Sequence, residues 1–288
     1  MVIIKEIYGD NNTLYLDAIQ MIINRALWSG WLVDEKPVSL MLIAPAESGK
    51  TEMISKFQHN KGVAYLTDIT AFSIARDFIP KINMGEIINH LLIPDFLNPT
   101  SKQLSTYRQF IQFMNVLIEE GVIEIRSYAI QLKTKGINCG LITSLTKDIF
   151  LDRRKYWRKI GFMSRVLPVS YTYNVRAASS ILKSITKGNY HNESEVLIQF
   201  PDKKQQIKDS PKLYEQFIPY STRFGEAEQV WGFRYQKQFQ ALAKANALAE
   251  GRSTVSQKDI DWVCHVAEWI NFDFKQLNYS LEGNEGNT

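Results

Sequence analysis

Cysteine is scarce in this chain of 288 residues. Only Cys139 and Cys264 occur, and they lack the paired spacing that a zinc site or a disulfide framework would show. Histidine is also rare, and no cluster of His, Cys and acidic residues along the sequence indicates a metal site built from such ligands. We therefore expect a reducing, cytoplasmic setting.

Long apolar runs are missing as well. No uninterrupted apolar stretch approaches the roughly 18 residues that a membrane-spanning helix needs, and the apolar start at Val2–Ile4 is too short for a signal peptide. The composition is otherwise average, with 45% hydrophobic and 22% charged residues, so a folded core is expected and general disorder is not. A net charge of +4 permits nucleic-acid binding without indicating it. We expect no membrane partner.

Short apolar segments alternate with helical ones along the first half of the chain. The apolar segments are bounded by turn residues, as buried strands are. The predicted strands are Val38–Ala44, Val63–Thr67, Ile87–Ile93 and Gly140–Thr143, and the predicted helices are Leu14–Trp28 and Thr51–Phe57. Strands that alternate with helices predict the α/β class, with a parallel sheet sandwiched by helices.

Two runs alternate apolar and polar residues with a period of two. They are Val122–Arg126 and Ala129–Lys133, and only Ser127 and Tyr128 lie between them. Such a pattern predicts a β-hairpin with a two-residue turn.

The second half of the chain has helical periodicity. Helices are predicted at Val175–Lys187, Gln236–Ala249 and Ile260–Ile270, the last with Ser256 as N-cap and Asp259 at its third position. We therefore expect three parts: an α/β domain at 1–173, a small C-terminal helical lid domain at 174–275, and a flexible tail at 276–288.

The segment Ala44–Thr51 matches the phosphate-loop pattern G-x-x-x-x-G-K-[ST] except at its first position, where alanine replaces glycine. A buried strand runs into it and a helix runs out of it, so backbone N–H groups and the positive end of the helix converge on one anion site. We expect Lys50 to contact the β- and γ-phosphates of ATP and Thr51 to help hold Mg²⁺. The expected nucleotide contacts are Pro45, Ala46, Glu47, Ser48, Gly49, Lys50, Thr51 and Glu52.

A phosphate loop alone fits kinases, GTPases and motors equally well. The strand Leu91–Phe96 resembles a degenerate Walker B strand, whose acidic end supports Mg²⁺ and activates water in that family. Its one acid is Asp95, so the resemblance implies that Asp95 serves in either the metal role or the catalytic-base role. The alternative is that Asp95 caps the turn before Pro99, because aspartate is common in such turns.

Further segments resemble the MCM and MoxR branch of the AAA+ ATPases. Phe113–Ile125 is similar to the helix and hairpin strand that precede sensor 1 there, and Gly140–Thr146 is similar to the sensor 1 strand itself. The polar sensor falls on Thr146, with Thr143 as the second choice. Gly161–Arg165 resembles the segment that carries the arginine finger, so the resemblance implies that Arg165 is the finger.

The resemblance extends to the C-terminal helices. Gly232–Arg234, with Leu242–Ala247 and Asp259 after it, is similar to the MCM lid helix, which places the sensor 2 arginine at Arg234. Lys50, Thr51 and Arg234 would then act within one subunit, and Arg165 would reach the γ-phosphate of a neighbour. A finger supplied by a neighbour predicts a homo-oligomer, either a ring or a helical filament.

Two groups of basic residues are candidates for DNA contacts. Arg126, Lys133 and Lys135 flank the predicted hairpin, and Arg153–Lys159 combines cations with aromatic rings, as phosphate contacts and base stacking require. A solvated basic face is the alternative. Trp28 and Trp31 would pack either in the core or on adenine.

The leading function implied is an oligomeric ATPase acting on DNA, as a helicase-related factor, helicase loader or DNA remodeller of a phage or other mobile element. Its partners would include DNA and a protein of a replication or mobile-element system. The alternatives are a MoxR-like protein remodeller and an ATP-dependent assembly scaffold with weak hydrolysis, the latter prompted by the single acid at the Walker B position.

Overall fold

The structure is a computed structural model that describes residues 6–7, 16–126, 130–188 and 195–270. The predicted tail at 276–288 and the predicted turn at Ser127 and Tyr128 lie outside the described residues.

Nine strands are described. They are β1 (Glu6–Ile7), β2 (Leu40–Ile43), β3 (Gly62–Tyr65), β4 (Ile88–Ile93), β5 (Val122–Arg126), β6 (Gln131–Ile137), β7 (Gly140–Leu145), β8 (Leu167–Ser170) and β9 (Thr172–Tyr173). Five of these strands form one parallel sheet in the order β3-β4-β7-β2-β8. The predicted α/β class is therefore confirmed.

The helices account for most of the remaining described chain. They are α1 (Asp17–Ser29), α2 (Lys50–Ser55), α3 (Ala71–Ser73), α4 (Ile79–Asn83), α5 (Leu97–Thr100), α6 (Leu104–Asn115), α7 (Lys147–Lys159), α8 (Val175–Thr186), α9 (Pro211–Tyr214), α10 (Ile218–Glu228), α11 (Phe233–Ala249) and α12 (Gln257–Ala267). Ile74–Phe78 and Val116–Glu120 form π-helical turns, and Met163–Arg165 and Glu215–Phe217 form 3₁₀ turns. None of the helices within these ranges combines the length and the apolar character that crossing a bilayer would take.

The sheet is covered on both faces. Every residue of β2, β4, β7 and β8 is buried, and successive side chains of a strand point to opposite faces. Complete burial therefore requires a layer on each side, which is why these strands are continuous apolar runs. The strands predicted at 38–44, 63–67, 87–93 and 140–143 are confirmed within two residues at each boundary.

The fifth strand, β8, was missed because Pro168 interrupts its apolar run. The Leu167 N–H donates to the carbonyl oxygen of Ser39, just before β2, at 2.9 Å. The Tyr171 N–H donates to the carbonyl oxygen of Ile43, the last residue of β2, at 3.3 Å. Alternate residues of β8 direct their backbone nitrogen away from β2, and Pro168 occupies one of those positions. A proline is tolerated there because it has no ladder bond to donate.

The predicted hairpin is present, but its second strand lies further along the chain. β5 pairs antiparallel with β6, with Arg126 opposite Gln131 and Val122 opposite Ile137. β6 begins at Gln131, after Ile130, and ends at Ile137, so the strand predicted at Ala129–Lys133 is wrong in its bounds. Lys133, Thr134 and Lys135 are consecutive polar residues, so the alternation of apolar and polar residues stops before the strand does.

The C-terminal helices pack onto α1. Arg25 Nε donates to Asn246 Oδ1 at 2.8 Å, and Lys244 pairs with Glu35 at 2.5 Å. The buried side chains of α11 and α12 belong to the same continuous hydrophobic cluster as those of the sheet. The domain boundary near residue 173 stays a prediction.

The predicted N-terminus of the last helix is confirmed, although the helix begins at Gln257, earlier than expected. Asp259 Oδ2 accepts a hydrogen bond from the Ser256 N–H at 2.8 Å, and Arg252 Nη2 pairs with Asp259 Oδ1 at 2.5 Å. Burial alone would raise the pKa of Asp259, but the hydrogen bonds from Arg252, Ser256 and Asn246 outweigh it and lower the pKa below its usual range.

Asp259→Asn should lower the free energy of unfolding at neutral pH by about 3 kcal/mol, since it leaves Arg252 without its buried partner. Because the pKa of Asp259 is lowered on folding, its contribution is present at neutral pH and is lost as the pH falls through the folded-state pKa. Urea titration at pH 7 checks this. Asp261→Asn, on the exposed side of the same helix, is the control, and equal losses in both variants would contradict the prediction.

Candidate functional site

The predicted phosphate loop, residues 44–51, follows the carboxyl end of β2. β2 lies between β7 and β8, and ligand crevices of open parallel sheets are found outside the carboxyl ends of such strands. Ala44 is wholly buried, and its N–H donates to the Leu145 carbonyl oxygen at 3.4 Å. Its φ is not positive, so the methyl group that replaces the glycine of the pattern adds no backbone strain.

The loop backbone enters the left-handed region twice. The φ angle is 60° at Glu47 and 76° at Gly49, while Ser48 between them has the ordinary negative sign. Alternation of this kind is typical of the nests in which successive N–H groups face an anion. Glu47 also carries the strain of a positive φ without being glycine, a feature concentrated at functional sites. The conformation therefore suits an anionic ligand.

Lys50 begins α2, and its side chain folds back under the loop. Its Nζ donates to the carbonyl oxygen of Ala44 at 3.0 Å, to that of Pro45, and to Ser48 Oγ at 3.1 Å. The residue is 8% exposed. Burial lowers the pKa of the ammonium to about 8, and the negative charge of Asp95 acts in the opposite direction. A cation is thus held at the loop by acceptors that the loop itself supplies.

Asp95 follows β4 and lies close enough to Lys50 for the two charges to interact. Its Oδ1 accepts a hydrogen bond from the Leu97 N–H at 2.9 Å, so Asp95 caps the start of α5, as the structural alternative predicted. Over the described ranges, Oδ2 makes no hydrogen bond. The capping role and a metal or base role are compatible, because capping uses one carboxylate oxygen and leaves the other for a ligand.

Two tyrosines hold the loop from the side, and sequence reasoning missed them. The hydroxyl groups of Tyr171 and Tyr173 both donate to the Ser48 carbonyl oxygen at 3.0 Å. Burial raises the pKa of Tyr171, so its hydroxyl stays protonated and keeps donating. The spacing of two places both rings on one side of an extended segment, but their target lies 123 residues away from Tyr171, which no local pattern reveals.

The two sensor 1 choices have different surroundings. Thr143 is wholly buried and donates to the Ile93 carbonyl oxygen at 2.6 Å, which ties β7 to β4. Thr146 is half-buried at the N-cap of α7, directly after Leu145, which is paired with Ile43 of β2. Thr146 therefore lies beside the start of the phosphate loop, whereas Thr143 is engaged inside the sheet.

Arg165, the predicted arginine finger, lies in the turn before β8. This turn is at the edge of the sheet formed by the amino ends of the strands, whereas the phosphate loop is at the opposite edge, formed by their carboxyl ends. Its Nη1 donates to the Gly161 carbonyl oxygen at 2.5 Å, and its Nη2 pairs with Glu120. The side chain is 9% exposed. The length of β8, about 13 Å at roughly 3.3 Å per residue, separates Arg165 from the loop of its own chain. Contact with a neighbouring subunit would require Arg165 to leave Glu120.

Arg234, expected to act on the nucleotide of its own chain, lies at this same edge. Its Nη1 donates to Ser164 Oγ at 3.1 Å, and its Nε is 3.8 Å from Glu119. The next residue, Tyr235, donates to the Met163 carbonyl oxygen at 3.3 Å. The structure thus does not bring Arg234 to the phosphate loop of its own chain, contrary to the expectation, because α11 begins beside the turn that precedes β8.

The hairpin cations are exposed and partly neutralised. Arg126 pairs with Glu124 at 2.9 Å, and Glu124 also stands opposite Lys133 in the register of β5 and β6. Lys133 and Lys135 lie on one face of β6, since they are two residues apart, and both are exposed. The three candidate nucleic-acid contacts are therefore accessible, with one carboxylate among them.

Trp31 is buried and Trp28 is half-buried. Their rings contact Phe200 at centroid distances of 5.1 and 5.2 Å, so both pack against the hydrophobic core. His90 is 1% exposed, and its Nε2 hydrogen-bonds the Val38 carbonyl oxygen at 3.2 Å. Burial lowers the pKa of His90 to about 3, so the ring is neutral and structural.

The oxygen donors at the loop suit a magnesium ion only together with a nucleotide. Thr51 is exposed in the first turn of α2, and Asp95 keeps one carboxylate oxygen available. Across residues 16–126, 130–188 and 195–270, no group of three or more His, Cys, Asp or Glu side chains could hold a metal ion. Mg²⁺ is commonly bound by one or two protein oxygens plus phosphates and water, so Thr51 and Asp95 fit it in that way.

Two comparisons with known proteins give no role that could be carried over to these residues. The chain matches no known family model, and a search of the curated proteins finds no match to it either.

Proposed function

We propose that this chain is a P-loop ATPase of the AAA+ type that assembles with copies of itself and acts on DNA. The observation that carries the proposal is the phosphate loop, in which a buried strand leads into a left-handed turn and a lysine at the following helix start. Asp95 at the end of β4 interacts electrostatically with that lysine. A cation and a carboxylate at one strand edge are what phosphoryl transfer needs.

The contacts of Lys50 indicate how the loop would receive a polyphosphate. The ammonium is desolvated and bonded to neutral acceptors of the loop, so phosphate oxygens would offer it stronger, charge-assisted partners. The N–H groups around Glu47 and Gly49 would face the same anion. Tyr171 and Tyr173 fix the Ser48 carbonyl group and so keep the loop in shape. Mg²⁺ held by Thr51, Asp95 and phosphate oxygens would neutralise the charge of the transferred group.

The location of Arg165 supports an assembly. A group that stabilises the transferred phosphoryl charge must approach it closely, and Arg165 is held at the far edge of its own sheet. Only the phosphate loop of another copy could meet it.

The experiment that tests the proposal is an ATPase assay of the purified chain alone, with single-stranded DNA, with duplex DNA and with unfolded protein. Stimulation by either DNA supports the proposal. Stimulation by unfolded protein alone would favour a protein remodeller, and absence of ATP binding would sink the ATPase assignment altogether.

An assembly scaffold that hydrolyses ATP poorly is a second candidate. It is favoured by Asp95, which is the one acid at the end of β4 and already caps α5 through Oδ1. A scaffold would assemble on ATP binding and stay assembled, whereas a motor would cycle. Sizing chromatography with ATP, followed over several turnover times, separates the two.

Asp95→Asn should reduce hydrolysis more than ATP binding, because it keeps the cap on Leu97 but removes the charge beside the phosphates. A loss of roughly 100-fold in turnover is expected for a general base. Turnover and ATP affinity are measured on the same preparation. Asp68→Asn is the control, since Asp68 is exposed and pairs with Lys102 at 2.7 Å. If Asp95→Asn kept full turnover and Asp68→Asn lost it, the acidic role would belong to Asp68.

The Lys133→Ala/Lys135→Ala double variant should weaken binding to duplex DNA by a similar factor for every sequence, because phosphate contacts read no bases. If each lysine neutralises one phosphate, the slope of log affinity against log salt concentration should become about 1.8 less steep. Affinities measured over a salt series check this. The Lys212→Ala/Lys258→Ala variant, which removes the same charge from exposed sites on α9 and α12, should leave the slope unchanged.

A further inference from the structure

The turn between α10 and α11 presents two large aromatic rings to solvent. Trp231 is 85% exposed and Phe233 is 70% exposed. Their rings are nearly parallel, with an interplanar angle of 14° and centroids 6.5 Å apart. Flat aromatic faces at this exposure are what unpaired nucleobases stack upon.

The backbone of this turn is held rigidly against α10. The Val230 N–H donates to the Gly225 carbonyl oxygen at 2.8 Å. Gly232 has a φ of 79°, and a Cβ there would lie 2.2 Å from the Ser221 carbonyl oxygen, so no other residue fits. Binding of a ligand that stacks on Trp231 and Phe233 would therefore lose little entropy through ordering of the turn.

Cations lie beside the two rings. A cavity of about 710 Å³ is lined by Trp231, Phe233, Arg234 and Lys237. It adjoins a second cavity of about 640 Å³ along α7, with which it shares Gln229 and Val230. The cations that line the second cavity are Arg154, Lys155, Arg158 and Lys159.

The anions that line these cavities are already engaged. Glu228 is 1% exposed and pairs with Arg154 at 2.7 Å and Arg158 at 3.2 Å, and Glu119 pairs with Lys36 at 2.7 Å. Lys155, Lys159 and Lys237 form no ion pair within the described part of the chain. The surface is therefore positively charged beside the exposed rings.

We propose that this surface, which we call the α7–turn surface (Trp231, Phe233, Lys237, Lys155 and Lys159), binds single-stranded nucleic acid. Bases stack on the two rings, and the lysines contact the phosphates that join them. A duplex keeps its bases stacked on each other and offers no free face. The inference deepens the proposed function, on which its biological sense rests, by naming the form of nucleic acid bound.

The test uses the full chain and fluorescently labelled oligothymidylate and oligouridylate of about 20 nucleotides, longer than the roughly 16 that a small binding module covers. Anisotropy gives the affinity over a salt series. Trp231→Leu/Phe233→Leu keeps apolar area but removes the flat rings, and it should weaken binding at least about fivefold for each lost stack. Trp231→Phe should retain most of the affinity. The two probes distinguish DNA from RNA.

Lys155→Ala/Lys159→Ala should flatten the salt dependence by about 1.4 in log–log slope, the value for two single-strand phosphate contacts. Lys212→Ala/Lys258→Ala is the charge-matched control and should change nothing. Equal affinity of the Leu variant and the parent for both probes would overturn the inference. So would a Leu variant that loses self-association in sizing chromatography but keeps nucleic-acid affinity, since the rings would then face a second copy.

ATP binding, measured on the same variants, separates this inference from the proposed function. The α7–turn variants should bind ATP as the parent does, because the phosphate loop lies at the other edge of the sheet. A distinct outcome is that the parent fails to bind ATP while the Leu variant binds single strands more weakly than the parent does. In that case the ATPase proposal would fail and the α7–turn surface would stand.

Discussion

Lys50→Ala is expected to abolish ATP binding and leave the fold intact. Under the proposed function the ammonium would contact the phosphates of ATP, and a charge-assisted contact with phosphate oxygens has no substitute in a methyl group. Its three hydrogen-bond acceptors all belong to residues 44–48, so its removal disturbs the loop alone. Burial already disfavours the charged ammonium in the folded chain, so removing the ammonium also removes a desolvation cost. This gain offsets part of the folding stability that is lost with the hydrogen bonds.

The measurement is equilibrium binding of a fluorescent ATP analogue, with thermal unfolding of the same sample. An affinity loss of at least about 100-fold is expected, since one charged contact with a desolvated phosphate contributes roughly 3 kcal/mol. Lys56→Ala at the end of the same helix is the matched control and should bind as the parent does. Equal affinity of the Lys50 variant and the parent would defeat the phosphate-loop assignment.

The predictable parts of this site are those encoded in a few consecutive residues. The strand before Ala44, the turn at Gly49 and the helix that begins at Lys50 all follow from local patterns, and the structure has them in place. The buried strands β4 and β7 were equally predictable, because strands covered on both faces are continuous apolar runs. β8 was hidden by Pro168, whose tolerance depends on which neighbour its backbone faces.

Contacts between distant segments escaped prediction. No pattern near Tyr171 or Tyr173 points to Ser48, because that contact exists only once β8 has paired beside β2. The position of Arg234 depends in the same way on how α11 packs against α1. The resemblance of a short motif singled out Arg234, but the packing of whole helices decides which groups its side chain can contact.

Arg165→Ala should retain ATP binding and lose hydrolysis, by about a thousandfold for an arginine finger supplied by a neighbour. The side chain lies at the opposite edge of its own sheet from the phosphate loop, where it contacts Glu120 and the Gly161 carbonyl oxygen. It would have to leave Glu120 to act, so Glu120→Gln should raise turnover if that ion pair restrains the finger. Thermal unfolding of both variants shows whether the fold survives.

Mixtures of two inactive variants decide where Arg165 acts. An Arg165→Ala chain keeps a working phosphate loop, and a Lys50→Ala chain keeps Arg165. An interface between them can combine the loop of the first with the finger of the second, so the mixture should recover part of the activity that each lacks alone. Recovery should peak at intermediate ratios and require co-assembly in sizing chromatography. A mixture that co-assembles and stays inactive would mean that Arg165 serves its own chain, and the oligomeric mechanism would lose the residue on which it depends.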